Sequence, residues 1–263
     1  MEEAVTAAYE RIGVGYDGTR RADPGLVARL AALLEVAPGL RCLDVGCGTG
    51  NYTTALAGRG GRWTGLDISV RMLTEARPKP GPVDWALGDA RALPFAREAF
   101  GRAMCTLAIH HFVDLAAVFT ELARVLGRGR LVIFTSAPSQ MRGYWVNEYF
   151  PEAMRRSMVV MPELDDIERL LTGAGFASVR TEGWYVPPDL QDLFLYSGKH
   201  DPELYLSPVV RRAISTFSQH ADAAEVKAGC ARLAADIASG RIAEVQRAYT
   251  NPHGDYAFVV ADR

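Results

Sequence analysis

In the segment LDVGCGTG, residues 43–50, three glycines alternate with other residues directly after a short apolar run. The run at residues 41–45 predicts a buried strand, and glycine allows the tight turn that brings main chain close to a ligand. The turn differs from the dinucleotide pattern G-x-G-x-x-G, because the third glycine is Gly50 and Asn51 takes its expected place. A nucleotide phosphate is therefore not the only ligand to consider.

The rest of the chain alternates short apolar runs with amphipathic segments, which predicts an α/β fold with a parallel sheet covered on both faces. The predicted helices cover residues 24–36, 51–58, 70–76, 115–126 and 164–173, and the predicted strands cover residues 41–45, 63–67, 83–87, 103–109, 131–135, 178–186 and 256–260. Such sheets bind ligands at the carboxyl ends of their strands, where the strand order reverses.

Changes in composition predict the domain organisation. We expect an N-terminal helical cap at residues 1–36, a core at residues 37–187 and 254–263, and an insertion rich in aromatic residues and methionine at 137–161. A second insertion, residues 188–253, has helical patterns and is expected to form a lid over the acceptor.

Composition excludes several classes of function. Hydrophobic residues form 49% of the 263 residues and the formal net charge is −2, without a run of Lys or Arg that would suggest nucleic-acid binding. No apolar run approaches the roughly 20 residues that span a bilayer. The acidic N-terminus lacks signal-peptide features, so a cytoplasmic protein is expected. A monomer or homodimer is expected as its oligomeric state. The four cysteines form no C-x-x-C pair, and no metal site is predicted.

LDVGCGTG resembles the first motif of the class I S-adenosylmethionine-dependent methyltransferases at every position, in the small-molecule branch (methyltransferase type 11) that includes the quinone-biosynthesis enzymes. The resemblance implies a Rossmann-like, doubly wound seven-stranded sheet whose last strand is antiparallel. It also implies that the glycines hold the amino-acid end of S-adenosylmethionine, that Asp67 accepts hydrogen bonds from the ribose, and that Asp89 meets the adenine amino group. The cofactor-binding residues implied in this way are Tyr16, Arg20, Asp44, Gly46, Cys47, Gly48, Gly50, Asp67, Ile68, Met72, Asp89, Ala90 and Leu107.

In this resemblance Arg20 reaches the cofactor carboxylate and Tyr16 covers the pocket, while the alternative for both is an ordinary polar loop. Asp44 is expected to fix the turn and to meet the cofactor ammonium through water.

Methyl transfer from a sulfonium is a direct displacement, so the protein mainly aligns the acceptor and excludes water. His111 and His110, after the fourth strand, are the candidate bases, and the alternative is that they pack or bind main chain. His200, His220 and His253 are isolated in the sequence and are expected at the surface. Four aromatic residues are predicted to bind an apolar or aromatic acceptor, or alternatively to pack the insertions onto the sheet: Tyr144, Trp145, Tyr149 and Tyr196.

The sequence therefore predicts an enzyme that methylates a small acceptor with S-adenosylmethionine. Three alternatives stay open at this point: an NAD-dependent oxidoreductase, a regulator or scaffold that binds S-adenosylmethionine without methylating, and a methyltransferase acting on RNA or protein. The missing glycine at position 51 opposes the first, and the absence of a basic patch opposes an RNA acceptor.

Overall fold

The computed structural model describes residues 18–263, which form a mixed seven-stranded sheet in the order β3-β2-β1-β4-β5-β7-β6. β1 to β5 run parallel, and β7 lies antiparallel between β5 and β6. The strands are β1 Arg41–Val45, β2 Arg62–Asp67, β3 Val83–Leu87, β4 Arg102–Thr106, β5 Arg130–Thr135, β6 Ser178–Trp184 and β7 Tyr256–Asp262. This topology confirms the predicted fold class.

Helices cover both faces of the sheet and have the caps that the sequence indicates. Ser69, Asp114 and Asp222 each accept a main-chain N–H in the first turn of the helix that follows, as N-cap residues do. The helices are α1 Pro24–Leu34, α2 Asn51–Ala57, α3 Val70–Ala76, α4 Leu115–Leu126, α5 Pro138–Met141, α6 Pro151–Val159, α7 Leu164–Gly173, α8 Pro208–Arg212, α9 Ala223–Ser239 and α10 Ile242–Ala248. None of the helices within residues 18–263 has the length and apolar character needed to cross a membrane.

The sheet separates two hydrophobic cores. One core packs α4 and α7 against the sheet through residues such as Phe119 and Ile167. The other packs α1, α2 and both insertions against the opposite face through residues such as Leu30, Leu56 and Phe150. Both insertions therefore extend one of the two cores and are part of the folded unit.

Three predicted elements end two or three residues earlier than expected. β4 was expected to reach Ile109 but stops at Thr106, because Leu107 adopts a positive φ of 54° and leaves the strand. A 3₁₀ turn, Ile109–His111, follows. α1 stops at Leu34 because Glu35 is left-handed (φ 51°). β6 stops at Trp184, and the N–H of Val186 is then taken by the Asp255 carboxylate at 2.8 Å.

Candidate functional site

The glycine loop joins β1 to α2, and two of its glycines are needed for steric reasons. Gly46, Gly48 and Gly50 all have positive φ, at 73°, 55° and 74°. A Cβ on Gly50 would lie 2.2 Å from the Trp85 ring, and one on Gly46 would lie 2.8 Å from the Cβ of Ala108. A Cβ on Gly48 would meet no atom within 4 Å. A side chain at position 48 would therefore enter open space, whereas side chains at positions 46 and 50 would clash with neighbouring groups.

Asp67, at the end of β2, fixes the middle of this loop. One oxygen accepts the Gly48 N–H at 2.8 Å and the other accepts the Ser69 N–H at 2.8 Å. Burial raises the pKa of Asp67, and these N–H bonds oppose the rise. Since each carboxylate oxygen has two lone pairs, both oxygens can still accept a ligand hydroxyl.

Asp44 and Gly50 shape the loop from beneath and do not line the cavity described below. Asp44 is buried and accepts the Thr53 hydroxyl at 2.6 Å, and among residues 18–263 its Oδ1 has no hydrogen-bond partner. Burial raises the pKa of Asp44 to about 7. The unpaired oxygen is an acceptor that a water beneath a ligand ammonium would satisfy.

A cavity runs from the glycine loop along the carboxyl ends of β1 to β4 and is lined on its far side by residues of both insertions. Twelve predicted site residues line it: Arg20, Gly46, Cys47, Gly48, Asp67, Ile68, Met72, Asp89, Ala90, Leu107, His110 and His111. Tyr16 lies outside the described residues. The structure therefore brings together residues that are up to 91 positions apart in the chain, from Arg20 to His111.

Asp89 lies at the end of β3 and lines the cavity. Its carboxylate accepts the Arg91 main-chain N–H at 2.8 Å and binds the Arg91 guanidinium at 2.6 Å. These hydrogen bonds lower the pKa of Asp89, so the carboxylate is ionised at neutral pH. It is in place to accept a hydrogen bond from an amino group.

Arg20 lines the cavity, but its guanidinium is engaged by a residue of the second insertion. It forms a bidentate pair with Asp192, at 2.6 Å and 3.2 Å, and Asp192 also accepts the Tyr52 hydroxyl at 2.9 Å. Asp192 is only 1% exposed. The role expected for Arg20 at a cofactor carboxylate stays a prediction, while its contact with Asp192 ties the insertion to the core.

His110 and His111 stand side by side at the cavity wall, with ring centroids 3.8 Å apart. Burial lowers the pKa of His110 to about 4, with smaller contributions from His220 and Arg20. Burial also lowers the pKa of His111 well below its usual range, with contributions from His110 and His220. Both imidazoles are therefore neutral at neutral pH and can accept a proton.

The four aromatic residues expected to bind the acceptor do not line this cavity. They are at most 3% exposed, because they pack the insertions onto the sheet as the alternative interpretation holds. Tyr144 stacks on Tyr196 at 3.7 Å and bonds Ser136 at 2.9 Å, while Tyr149 donates to Asp236 at 2.8 Å. Trp145 donates its indole N–H to the Lys199 carbonyl.

Sequence reasoning missed several residues that the second insertion brings to the cavity. His220 was expected at the surface, but it is half-buried and lines the cavity, in the π-helical turn Thr216–His220. Ile214 and Gln219 line it as well. No local motif marks these positions, because their place depends on how the insertion folds back over the strand ends.

The described residues fit S-adenosylmethionine on four counts. Gly48 borders open space, and Asp67 keeps lone pairs for ribose hydroxyls. Ile68, next to Asp67, lines the cavity and is 42% exposed, which is unusual for an isoleucine and is explained if an adenosine covers it. Asp89 supplies an acceptor for the adenine amino group at the next strand end.

Comparisons with known proteins agree with this geometry. A family profile described as "Methyltransferase domain" matches residues 43–134, and one described as "Protein-L-isoaspartate(D-aspartate) O-methyltransferase" matches residues 2–77. Malonyl-[acyl-carrier protein] O-methyltransferase from Serratia marcescens is 31% identical over 135 residues, covering 51% of this chain and 53% of the relative. The chain thus spans about half the length of this relative.

Two further similarities cover a larger share of the matched protein. The 2-phytyl-1,4-naphtoquinone methyltransferase of Thermosynechococcus vestitus is 30% identical over 172 residues, covering 56% of this chain and 76% of the relative. A solved structure from Anabaena variabilis, described as a candidate methyltransferase from an antibiotic biosynthesis pathway, is 30% identical with a TM-score of 0.84 and covers 93% of this chain and 99% of that one. On this evidence, the chain belongs to the S-adenosylmethionine-dependent methyltransferases, and its cofactor is S-adenosylmethionine.

Proposed function

We propose that this chain transfers the methyl group of S-adenosylmethionine to a small, largely apolar acceptor held between the strand ends and the two insertions. One observation carries the proposal: the glycine loop with Asp67 and the insertion residues Met161 and Ile214 line one continuous cavity. A binding protein or scaffold would need the first part of this cavity alone.

Residues at different places along the cavity bind different parts of the cofactor and the acceptor. When bound, S-adenosylmethionine supplies an activated methyl group on a sulfonium. Gly48 and Asp67 hold the amino-acid end and the ribose, and Asp89 orients the adenine. The insertions enclose the acceptor, which aligns it with the methyl group and excludes water.

The apolar acceptor is supported by the walls of the cavity and by one relative. Phe112, Met141 and Phe194 are among the residues that face it. The Thermosynechococcus relative is named for a naphthoquinone with a phytyl chain, which is an apolar aromatic acceptor. We propose the same broad class for this chain.

Calorimetric titration with S-adenosylmethionine and S-adenosylhomocysteine tests the first step. We expect micromolar binding of both, which Asp67→Ala weakens by about 100-fold because it removes a doubly hydrogen-bonded carboxylate at the ribose. Asp84→Ala is the matched control, since Asp84 is exposed on the neighbouring β3 and does not line the cavity. NAD should not bind.

Failure of both adenosyl ligands to bind folded protein would contradict the proposal. Binding of NAD in their place would favour the oxidoreductase alternative. Binding of both ligands without methyl transfer to any apolar acceptor would leave the scaffold alternative as the better one.

A further inference from the structure

The acceptor half of the cavity, which we define as the part lined by residues 108–113 and by the two insertions, has largely apolar walls. The apolar side chains that line it include Phe112, Val113, Met141, Val160, Met161 and Ile214. Val113 and Val160 are 54% and 43% exposed. An acceptor that covers these side chains gains burial of apolar surface on both partners.

The carboxylates that line the cavity are Asp67, Asp89 and Asp192, within residues 18–263. Asp67 and Asp89 lie at the cofactor end, and Asp89 is paired with Arg91. Asp192 is matched by the Arg20 guanidinium and the Tyr52 hydroxyl. The acceptor half as described therefore offers no unmatched carboxylate to a cationic acceptor, and burying an unmatched charge is costly.

The described residues favour an anionic acceptor no more than a cationic one. The cations that line the cavity are Arg20, Arg21 and Arg91. Arg20 and Arg91 each form an ion pair with an aspartate, and Arg21 is exposed. An uncharged acceptor is the one that this half of the cavity matches.

Apart from Asp192, which is paired with Arg20, the described polar side chains that line the acceptor half are neutral, and three of them are imidazoles. His110 and His111 come from the turn after β4, and His220 comes from the second insertion. Arg156 donates to the His220 carbonyl at 3.1 Å, and Ser157 bonds Thr216 at 2.8 Å, so α6 holds this turn in place. The described residues contain no group of three or more side chains placed to hold a metal ion.

His110 has one nitrogen free to meet a ligand. Its Nδ1 is buried and has no hydrogen-bond partner within residues 18–263, so Nε2 is the atom that can reach the acceptor. Burial and the nearby His220 and Arg20 lower the pKa of His110, which keeps Nε2 available as a proton acceptor.

We propose that the acceptor is an uncharged alcohol or phenol, that Nε2 of His110 takes its hydroxyl proton, and that His220 is a second residue contacting it. The inference rests on the proposed function. The acceptor oxygen forms a bond to the methyl carbon as the carbon–sulfur bond breaks, and the electron pair of that bond stays on sulfur. The hydroxyl proton moves to His110, and the imidazolium then loses it to solvent.

The substrate class can be tested by binding to the complex of the protein with S-adenosylhomocysteine. Three probes share one ring system and differ in charge at neutral pH: 2-naphthol, 2-naphthoic acid and 2-(aminomethyl)naphthalene. We expect 2-naphthol to bind at least about tenfold more tightly than either charged probe, because only the charged ones lose hydration without a counter-charge.

The roles of the histidines are tested by methyl transfer to 2-naphthol. His110→Gln keeps a hydrogen-bonding side chain but no base, so kcat should fall about 100-fold with a smaller change in KM. His220→Gln should mainly raise KM for 2-naphthol. His253→Gln replaces an exposed histidine away from the cavity and serves as the control.

The outcomes distinguish failure of the proposed function from failure of the inferred acceptor and base. If S-adenosylhomocysteine does not bind, the proposed function fails and this inference fails with it. If it binds but a charged probe is preferred, or 2-naphthol neither binds nor is methylated, only the inference is overturned. Retention of full activity in His110→Gln, with folding checked by thermal unfolding, overturns the role of that imidazole.

Discussion

The cofactor half and the acceptor half of the cavity are built in different ways. In the cofactor half the working groups are main-chain atoms and carboxylates at consecutive strand ends, such as Gly48, Asp67 and Asp89. In the acceptor half, side chains distant in sequence are paired, such as Ser157 with Thr216 and Arg20 with Asp192, which are 172 positions apart.

This difference indicates which substitutions each half of the cavity is sensitive to. A site made of main chain is sensitive to any change that alters φ and ψ, whereas a site made of paired side chains is sensitive to the loss of one partner. The following experiments separate these two kinds of sensitivity.

The largest effect is expected in the glycine loop. Gly50→Ala should lower the free energy of unfolding by about 4 kcal/mol, since it combines a left-handed conformation with a clash against Trp85. Gly48→Ala, where the new Cβ meets open space, should cost only about 1 kcal/mol. Urea unfolding gives both values.

The order of these two variants should reverse for cofactor binding, measured on the folded fraction of each: Gly48→Ala should have the larger effect and Gly50→Ala the smaller one. Gly48→Ala places its methyl group in the open space where we propose that the cofactor binds, and it should clearly weaken the binding of S-adenosylmethionine. Equal stability losses for the two variants would contradict the distinction between enclosed and open glycines.

The next effect is expected at the contact between core and second insertion. Arg20→Met leaves Asp192, 1% exposed, without its counter-charge and should lower the free energy of unfolding by about 3 kcal/mol. Arg29→Met is the matched control, because its partner Glu182 is 39% exposed, and it should cost less than about 1 kcal/mol. Similar losses for both would show that the insertion is not held by this pair.

This contrast also explains how much the sequence could predict. The sheet follows from the alternation of apolar runs with amphipathic segments. The glycine loop, Asp67 and Asp89 follow from their places at the ends of predicted strands. The early end of β4 escaped prediction because the positive φ of Leu107 has no local signal in its residue type.

The acceptor half was predicted less well, for a physical reason. Tyr144 and Tyr196 are aromatic, but aromatic character alone does not tell a lining residue from a packing residue. His220 was expected at the surface because it is isolated in the sequence, and only the fold of the insertion brings it to the cavity. Tertiary placement of a long insertion is not encoded in short patterns.

The pH dependence of stability should reflect the buried imidazoles. The unfolded state binds a proton at His110 below about pH 6.5 and the folded state does not until about pH 4, so the contribution of His110 to stability is full above pH 6.5 and is lost as the pH drops. The raised pKa values of the buried Asp44 and Asp67 act in the opposite direction, so the effect of His110 is read from the difference between the variant and the parent protein. His110→Gln should remove about 2 kcal/mol of the loss between about pH 7 and pH 5. His111 and His220 shift in the same direction, so part of the slope stays. An unchanged slope in urea unfolding would contradict burial of this ring.

The smallest effect should separate packing from acceptor binding in the aromatic cluster. Tyr144→Phe keeps the ring stacked on Tyr196 but removes the hydroxyl that bonds Ser136 and the Asp255 carbonyl. The free energy of unfolding should fall by about 1 kcal/mol, the net value of such hydrogen bonds. KM for the acceptor should stay the same, because the side chain lies behind the cavity wall. A raised KM with unchanged stability would instead place Tyr144 at the acceptor. The aromatic cluster of the insertions would then contribute to acceptor binding as well as to packing.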